Sequence, residues 1–249
     1  MIICKSPTEL QKMRQSGLLV SEILQELRGI VRPGVTTEDL EQTAEKRIRQ
    51  AGARAAFKGY YGYPCVLCTS INNEIVHGIP SSKRMLGDGD IVKIDVGVEL
   101  DGYYGDSATT IPVGEIGPEL ARLLNVTKES LELAIQEARL GNRLGDVCAA
   151  VQRHVEAHGY SVVREFVGHG IGRKLHEDPQ VPNYGNPGQG PRLREGMVLA
   201  IEPMVNTGSG EARVLEDKWT AVTADGGYSA HFEHTVAVTK NGPWVLTQP

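Results

Sequence analysis

The chain has 249 residues, of which 40% are hydrophobic, and its formal net charge at pH 7 is −5. This length is enough for one large domain or two small ones that share a core. The acidic balance does not favour a phosphate-binding surface, and no apolar run of about 18 residues is present, so neither specific nucleic-acid binding nor a membrane span is predicted. The N-terminal sequence MIICKSPTEL lacks the charged and apolar regions of a signal peptide, which predicts a cytoplasmic protein.

The chain begins with two predicted helices. Residues 6–9 (SPTE) have the form of a capping box with proline at the first helical position. Apolar residues between positions 10 and 31 follow at alternating steps of three and four, which is typical of one helix face, and RPG at 32–34 ends the helix. The second helix is predicted from residue 36 or 37 to a C-terminal glycine at 52.

A constant shift of 107 residues relates two parts of the chain. It places LGDGDIVKIDVGV (86–98) over LREGMVLAIEPMV (193–205), so that Asp95 meets Glu202, and it also matches glycines at predicted helix ends. We therefore predict an α+β fold in a single domain, with two similar halves at roughly 1–112 and 113–249. Each half would carry helices and an antiparallel sheet, the halves would be related by a pseudo-two-fold axis, and a site would lie where they meet.

The segment 91–112 is predicted to be a β-hairpin. Asp101-Gly102 is a strong two-residue turn, and a turn there places Asp95 opposite Ala108 and Asp106 opposite Gly97. The two carboxylates then lie on one sheet face with a Cα separation of about 7–8 Å. Aspartate is depleted in strands, and these strands are otherwise apolar, so we favour a functional pair over two solvated acids.

A second hairpin is predicted over 66–77. Asn72-Asn73 can form its turn, which places Cys68 opposite His77. Cys65 and Cys68 form a lone C-x-x-C without a second pair, so we expect reduced thiols and no zinc site. A single histidine on a strand is more often structural than catalytic, and His77 gains weight only from the second half.

The second half adds more candidate ligands. His169 lies among glycines in VGHGIG, a pattern that permits close approach to the backbone, and His176 follows seven residues later. Glu202 lies in the apolar strand MVLAIEP, where an unpaired carboxylate is costly unless a cation accompanies it. Glu233 lies in the strand HFEHTVAVT; its neighbours His231 and His234 are interpreted as structural.

Together these histidines and carboxylates predict a metal site. Oxygen donors with some imidazole suit Mn, Fe(II), Co or Zn, and not a thiolate site. The two aspartates and two glutamates bring four negative charges, which two divalent cations would neutralise.

Five segments of the chain, in order, carry a family resemblance: NNEIVHGIP, KIDVGVELDGYYGDSATT, VGHGIGRKLHEDP, GMVLAIEPMV and HFEHTVAVT. The chain resembles the bacterial type I methionine aminopeptidases, which have the pita-bread fold, and the resemblance covers nearly its whole length. It implies metal ligands at Asp95, Asp106, His169, Glu202 and Glu233, with Asp106 and Glu233 bridging two ions. It also implies catalytic histidines at His77 and His176, with Glu202 as the proton acceptor.

The same resemblance implies a methionine pocket formed by Tyr60, Tyr63, Cys68 and Trp219, with Phe57 nearby. At Leu175 some relatives carry phenylalanine, which alters the pocket edge. The implied activity is removal of the initiator methionine from nascent, deformylated polypeptides whose second residue is small. The enzyme is expected to be a cytoplasmic monomer, and transient contact with the ribosome fits such a substrate.

Two alternatives remain open. A proline-specific peptidase of the same fold would use a similar metal site, although those enzymes carry a large extra N-terminal domain. A non-catalytic binding protein on this fold would have lost ligands, and none is lost here.

Overall fold

The computed structural model describes all 249 residues. Four helices span Pro7–Ile30 (α1), Thr37–Gln50 (α2), Pro118–Glu137 (α3) and Leu144–Ala157 (α4), and a 3-10 turn spans Tyr60–Gly62. The strands are Arg54–Ala55 (β1), Leu67–Ile71 (β2), Glu74–Val76 (β3), Ile91–Leu100 (β4), Tyr103–Pro112 (β5), Ser161–Val162 (β6), Gly168–Gly170 (β7), Glu177–Val181 (β8), Val198–Ile201 (β9), Met204–Asn206 (β10), Ala212–Val214 (β11), Ala221–Thr223 (β12), Ser229–His231 (β13), His234–Thr239 (β14) and Gly242–Val245 (β15). None of the helices is long and apolar enough to cross a membrane.

Both predicted N-terminal helices are confirmed, the first with its predicted capping box. The Ser6 hydroxyl accepts a hydrogen bond from the Glu9 backbone N–H, and the Glu9 carboxylate accepts one from the Ser6 N–H. Helix α2 has the same capping box between Thr36 and Asp39. Each box satisfies two backbone donors that the first helical turn leaves free, so local sequence determines where both helices begin.

The predicted hairpin at residue 101 is also confirmed in register. Strands β4 and β5 pair with Leu100 opposite Tyr103, Gly97 opposite Asp106 and Asp95 opposite Ala108. Strands β1 and β2 pair with β4 and complete the sheet of the first half. Buried apolar residues of α1 and α2 pack against this sheet and form one core.

The second half repeats this arrangement. Its sheet has the order β15-β14-β9-β7-β8, and α3 and α4 pack against it around a second core. Backbone hydrogen bonds recur at the shift of 107 residues: Leu86 N–H donates to Val35 O, and Leu193 N–H donates to Asn142 O, both at 2.8–2.9 Å. The glycine pairs also share a left-handed conformation, as at Gly89 (φ 86°) and Gly196 (φ 82°).

The hairpin predicted at Asn72-Asn73 is wrong in its pairing. The turn forms, with Asn72 at φ 51°, but Cys68 does not pair with His77; instead Thr69 N–H donates to Gly78 O. Strand β3 pairs with β12 of the second half, while β2 pairs with β4. His77 has φ 61°, so the chain leaves the extended conformation there, and long-range pairing replaces the local ladder.

Candidate active site

A cavity of about 310 Å³ lies where the two halves meet. Its lining includes every side chain that the sequence analysis placed in the site: Phe57, Tyr60, Tyr63, Cys68, His77, Asp95, Asp106, His169, His176, Glu202, Trp219 and Glu233. Leu175 also lines it. The candidate residues, which are spread over more than 170 positions of sequence, therefore face one space.

Hydrogen bonds between the two halves hold the carboxylates in place. Thr235 Oγ1 accepts from the Asp106 backbone N–H at 3.1 Å and donates to Asp106 O at 2.8 Å. The Glu233 N–H donates to Ala108 O at 2.9 Å. These bonds join β5 of the first half to the β14 region of the second, and so bring Asp106 and Glu233 to the same place. Asp95 pairs with Ala108, and Asp106 pairs with Gly97, so the two acids lie on the same face of the β4–β5 sheet.

His169 presents a lone pair to these acids. Its Nδ1 lies 2.9 Å from Gly170 O; a carbonyl only accepts hydrogen bonds, so Nδ1 carries the proton and Nε2 is free. Nε2 lies 3.6 Å from Glu202 Oε1 and 3.9 Å from Asp106 Oδ2. Burial lowers the pKa of His169 to about 3, so the ring is neutral at pH 7 and suited to bind a metal.

The site fits a divalent cation on its own geometry. Ligand atoms of Asp106, His169 and Glu233 all lie within 4.8 Å of one another. One buried oxygen each of Asp95, Asp106 and Glu233 has no hydrogen-bond partner, which is costly for a polar group inside a protein. Divalent cations held here would give these oxygens the partners that the protein does not supply.

When ionised, the carboxylates of Asp95, Asp106, Glu202 and Glu233 repel one another. Burial raises the pKa of Asp106 to about 7, against the opposing hydrogen bonds from Asp95 and the Ser107 backbone. Burial, followed by the charges of neighbouring carboxylates, raises the pKa of Asp95, Glu202 and Glu233 well above the usual range. Without a cation these acids therefore keep protons near neutral pH, and their ionised forms require compensating positive charge.

The two remaining histidines lie at the cavity wall. The Tyr60 hydroxyl lies 2.8 Å from His176 Nδ1, and the His176 ring meets that of His169 edge-on, with centroids 4.2 Å apart. The His77 ring packs edge-on against Phe166 at 5.4 Å. Burial lowers the pKa of His176 and lowers that of His77 to about 4, so both rings are neutral at pH 7.

The apolar part of the cavity is formed by aromatic residues and one thiol. Tyr63 and Trp219 meet edge-on with ring centroids 5.1 Å apart, and the Tyr63 hydroxyl donates to the carbonyls of Leu67 and Gly78. Cys68 is buried, and burial keeps the pKa of its thiol well above the ordinary value. This wall offers polarizable, uncharged surface.

Sequence reasoning missed several lining residues. Phe166, Val76 and Met204 also face the cavity. Phe166 directly precedes the glycine-rich segment around His169, and this position in the sequence could have indicated that it lines the site. His231 lies in the strand that leads to Glu233, and its Nε2 is 3.8 Å from Glu202 Oε2, although its sequence suggested only a structural role.

A cavity between two related halves, with carboxylates and a histidine placed to hold a cation, is the arrangement expected of a metal-dependent hydrolase. The sequence profile of metallopeptidase family M24 matches residues 11–240. The chain is 54% identical to methionine aminopeptidase 1 of Bacillus subtilis over 248 residues, covering all of both chains. It is 52% identical to the methionine aminopeptidase of Clostridium acetobutylicum, covering 99% of each. The chain belongs to family M24, among its methionine aminopeptidases.

Solved structures agree with this assignment. The methionine aminopeptidase of Thermotoga maritima superposes with a TM-score of 0.98 at 48% identity, over the full length of both chains. The prolidase of Pyrococcus furiosus superposes with a TM-score of 0.78 at 22% identity, covering 66% of that chain. The second likeness shows that the proline-specific enzymes share the fold, and the first supports the pita-bread fold over the whole chain.

Proposed function

We propose that this protein hydrolyses the first peptide bond of polypeptides that begin with methionine, using two divalent metal ions. The observation that carries the proposal is the set of buried, unpartnered carboxylate oxygens of Asp95, Asp106 and Glu233 beside the free Nε2 of His169. These oxygens adjoin an apolar cavity that suits a thioether side chain.

Five residues would hold the ions: Asp95, Asp106, His169, Glu202 and Glu233. When bound, such ions acidify water and polarise a peptide carbonyl. As the family resemblance implies, Asp106 and Glu233 would be shared between the two ions; they come from opposite halves, and each has an unpartnered oxygen that an ion could use. Four carboxylates balance the charge of two divalent cations, whereas one cation would leave two uncompensated acids.

The surrounding side chains would move protons and orient the peptide. Glu202 would take up the proton that the attacking water loses. His176 donates from Nε2 to the carbonyl oxygen as charge develops, because the Tyr60 hydroxyl can donate to Nδ1 and leave the ring proton on Nε2. His77 contacts the scissile amide.

Tyr60, Tyr63, Cys68 and Trp219, with Phe57 nearby, would hold the methionine side chain. A pocket of this kind separates side chains that differ by one methylene by only about 1–3 kcal/mol, so norleucine should be accepted with a modest loss. Exclusion of large second residues is stronger, since their atoms must displace packed side chains. We further propose that residues 1–249 form one catalytic domain that acts as a cytoplasmic monomer on nascent chains, in transient contact with the ribosome.

The first experiment tests metal dependence. Protein stripped with a chelator, with metal absence verified by elemental analysis, should not cleave Met-Ala-Ser, and added Mn, Fe(II), Co or Zn should restore cleavage. The working ion is the metal that restores the most cleavage when each is supplied at its physiological free concentration. Full turnover without metal rules out the mechanism, and protein that binds no metal at all supports the binding-protein alternative.

The second experiment separates methionine from proline specificity. We expect kcat/KM for Met-Ala-Ser to exceed that for Met-Leu-Ser and for Ala-Pro-Ser with the same metal. Two physical reasons underlie the last difference: proline has no N–H to offer His77 at the scissile amide, and alanine leaves the methionine pocket unfilled. Faster cleavage of the proline peptide replaces this proposal with the proline-peptidase alternative.

A further inference from the structure

A fully buried lysine lies on the strand that carries Asp95. Lys93 has 1% of its surface exposed, and its position on β4 puts it on the same face as Asp95. It forms no ion pair: its Nζ donates to Asn72 O at 2.7 Å and to Ser229 O at 3.0 Å. Burying a lysine without a carboxylate is costly, so the contacts made by its Nζ must offset that cost.

The two carbonyls come from opposite halves of the molecule. Asn72 forms the turn between β2 and β3, and β3 leads directly into His77. Ser229 begins β13, which leads to Glu233. Two carbonyl oxygens of like partial charge therefore face one nitrogen, and Lys93 joins the segment before His77 to the segment before Glu233.

Other bonds show that this turn is held against the second half. The Ser229 N–H donates to Asn72 O at 3.1 Å, and the Thr223 N–H donates to Asn73 O at 2.9 Å. Lys93 is the only side chain that donates to either Asn72 O or Ser229 O. Burial lowers its pKa to about 7, but a neutral amine keeps two N–H groups, enough for both carbonyls.

We infer that Lys93 is a positioning residue: it fixes the Asn72 turn to Ser229 and thereby sets the place of His77 relative to the carboxylates. The inference rests on the proposed function, because His77 is given its contact with the scissile amide there. His77 has a left-handed backbone (φ 61°) at a strand end, and such a conformation persists only where the surroundings hold it.

The test uses Lys93→Met, which keeps an unbranched side chain one atom shorter and removes the N–H donors. We expect kcat/KM for Met-Ala-Ser to fall at least tenfold with the metal content unchanged. In a His77→Ala background the same substitution should cost less than threefold, since the residue that it positions is already absent. Val155→Ala, a buried change in α4 at a residue that does not line the cavity, is the control, and should lower the melting temperature while keeping turnover.

A second readout does not depend on catalysis. Amide hydrogen exchange of the metal-free protein should be faster over residues 72–77 in Lys93→Met than in wild type, and unchanged there in the control. If wild type fails to release methionine, the proposed function fails, while this exchange still tests the link made by Lys93. Lys93→Gln, whose side chain is as long as that of methionine but retains N–H donors, should show an intermediate loss.

Three results would overturn the inference. They are equal losses in the wild-type and His77→Ala backgrounds, unchanged exchange over 72–77, and failure of both Lys93 variants to fold while the control folds. The last result would make Lys93 a residue of general stability only.

Discussion

Replacing Asp106 with asparagine should stabilise the metal-free protein at neutral and alkaline pH. Burial raises the pKa of Asp106 from 3.8 to about 7 in the folded chain, so the folded state holds the proton longer than the unfolded state does. The cost of ionising this buried carboxylate is absent below about pH 4, grows as pH rises, and is complete above about pH 7. The shift corresponds to roughly 4 kcal/mol at pH 8 and about 1.5 kcal/mol at pH 5.

Urea unfolding in chelator, followed by the fluorescence of Trp219 and Trp244, measures the effect. The free energy of unfolding of Asp106→Asn minus that of wild type should be positive and should increase by about 2–3 kcal/mol from pH 5 to pH 8. This difference cancels the titration of the buried histidines, which both proteins share. With a divalent metal present the sign should reverse, because the asparagine variant has lost an ionic ligand.

A pH-independent difference would refute the reasoning. It would mean that the asparagine side chain acts through packing or a new hydrogen bond, and that burial does not raise the pKa of Asp106. Glu195→Gln, an exposed carboxylate paired only with Lys240 at 3.6 Å, is the control and should change stability little at either pH.

Three further predictions test other parts of the structure. Tyr60→Phe removes the hydroxyl at 2.8 Å from His176 Nδ1 and should lower kcat with metal content and melting temperature nearly unchanged; an unchanged kcat would contradict the orienting role. Gly17→Ala would place a Cβ 2.3 Å from Leu246 O and should cost about 1–3 kcal/mol in urea unfolding, whereas Gly29→Ala, with open space around it, should be neutral or stabilising. Glu41→Gln leaves one of the Val66 and Leu67 N–H groups poorly paired and should cost about 1–3 kcal/mol in urea unfolding. An unchanged free energy of unfolding would contradict this role of the Glu41 carboxylate.

Features encoded by neighbouring residues could be predicted from the sequence. The Asp101-Gly102 turn determines the register of β4 and β5, because a two-residue turn leaves one pairing, and the capping boxes determine the starts of α1 and α2. The Asp95 and Asp106 placement follows from that register alone. The carboxylate of Glu202 was detectable by its cost in an apolar strand, which is a physical signal independent of resemblance.

Features set by distant residues could not be predicted in this way. Strand β3 pairs with β12, about 150 residues later, and no local pattern announces that partner. The turn at Asn72 therefore suggested a ladder that does not form. Lys93 did leave a signal, since a lysine within IVKIDVGV lies two residues before Asp95 on the same face. Its partners are backbone carbonyls, which carry no sequence information.

The repeat explains how a symmetric frame holds an asymmetric site. Gly89 N–H donates to Val113 O in the first half, and Gly196 N–H donates to Val238 O in the second, so the shift grows from 107 residues to 125 across each sheet. With that shift, Glu233 corresponds to Ala108, and Asp106 corresponds to His231. Asp95 and Glu202 therefore occupy equivalent positions in the two halves, whereas Asp106 and Glu233 occupy different positions of equivalent strands. The added residues of the second half include β12, which pairs with β3, so the same length difference that breaks the symmetry also holds the strand before His77.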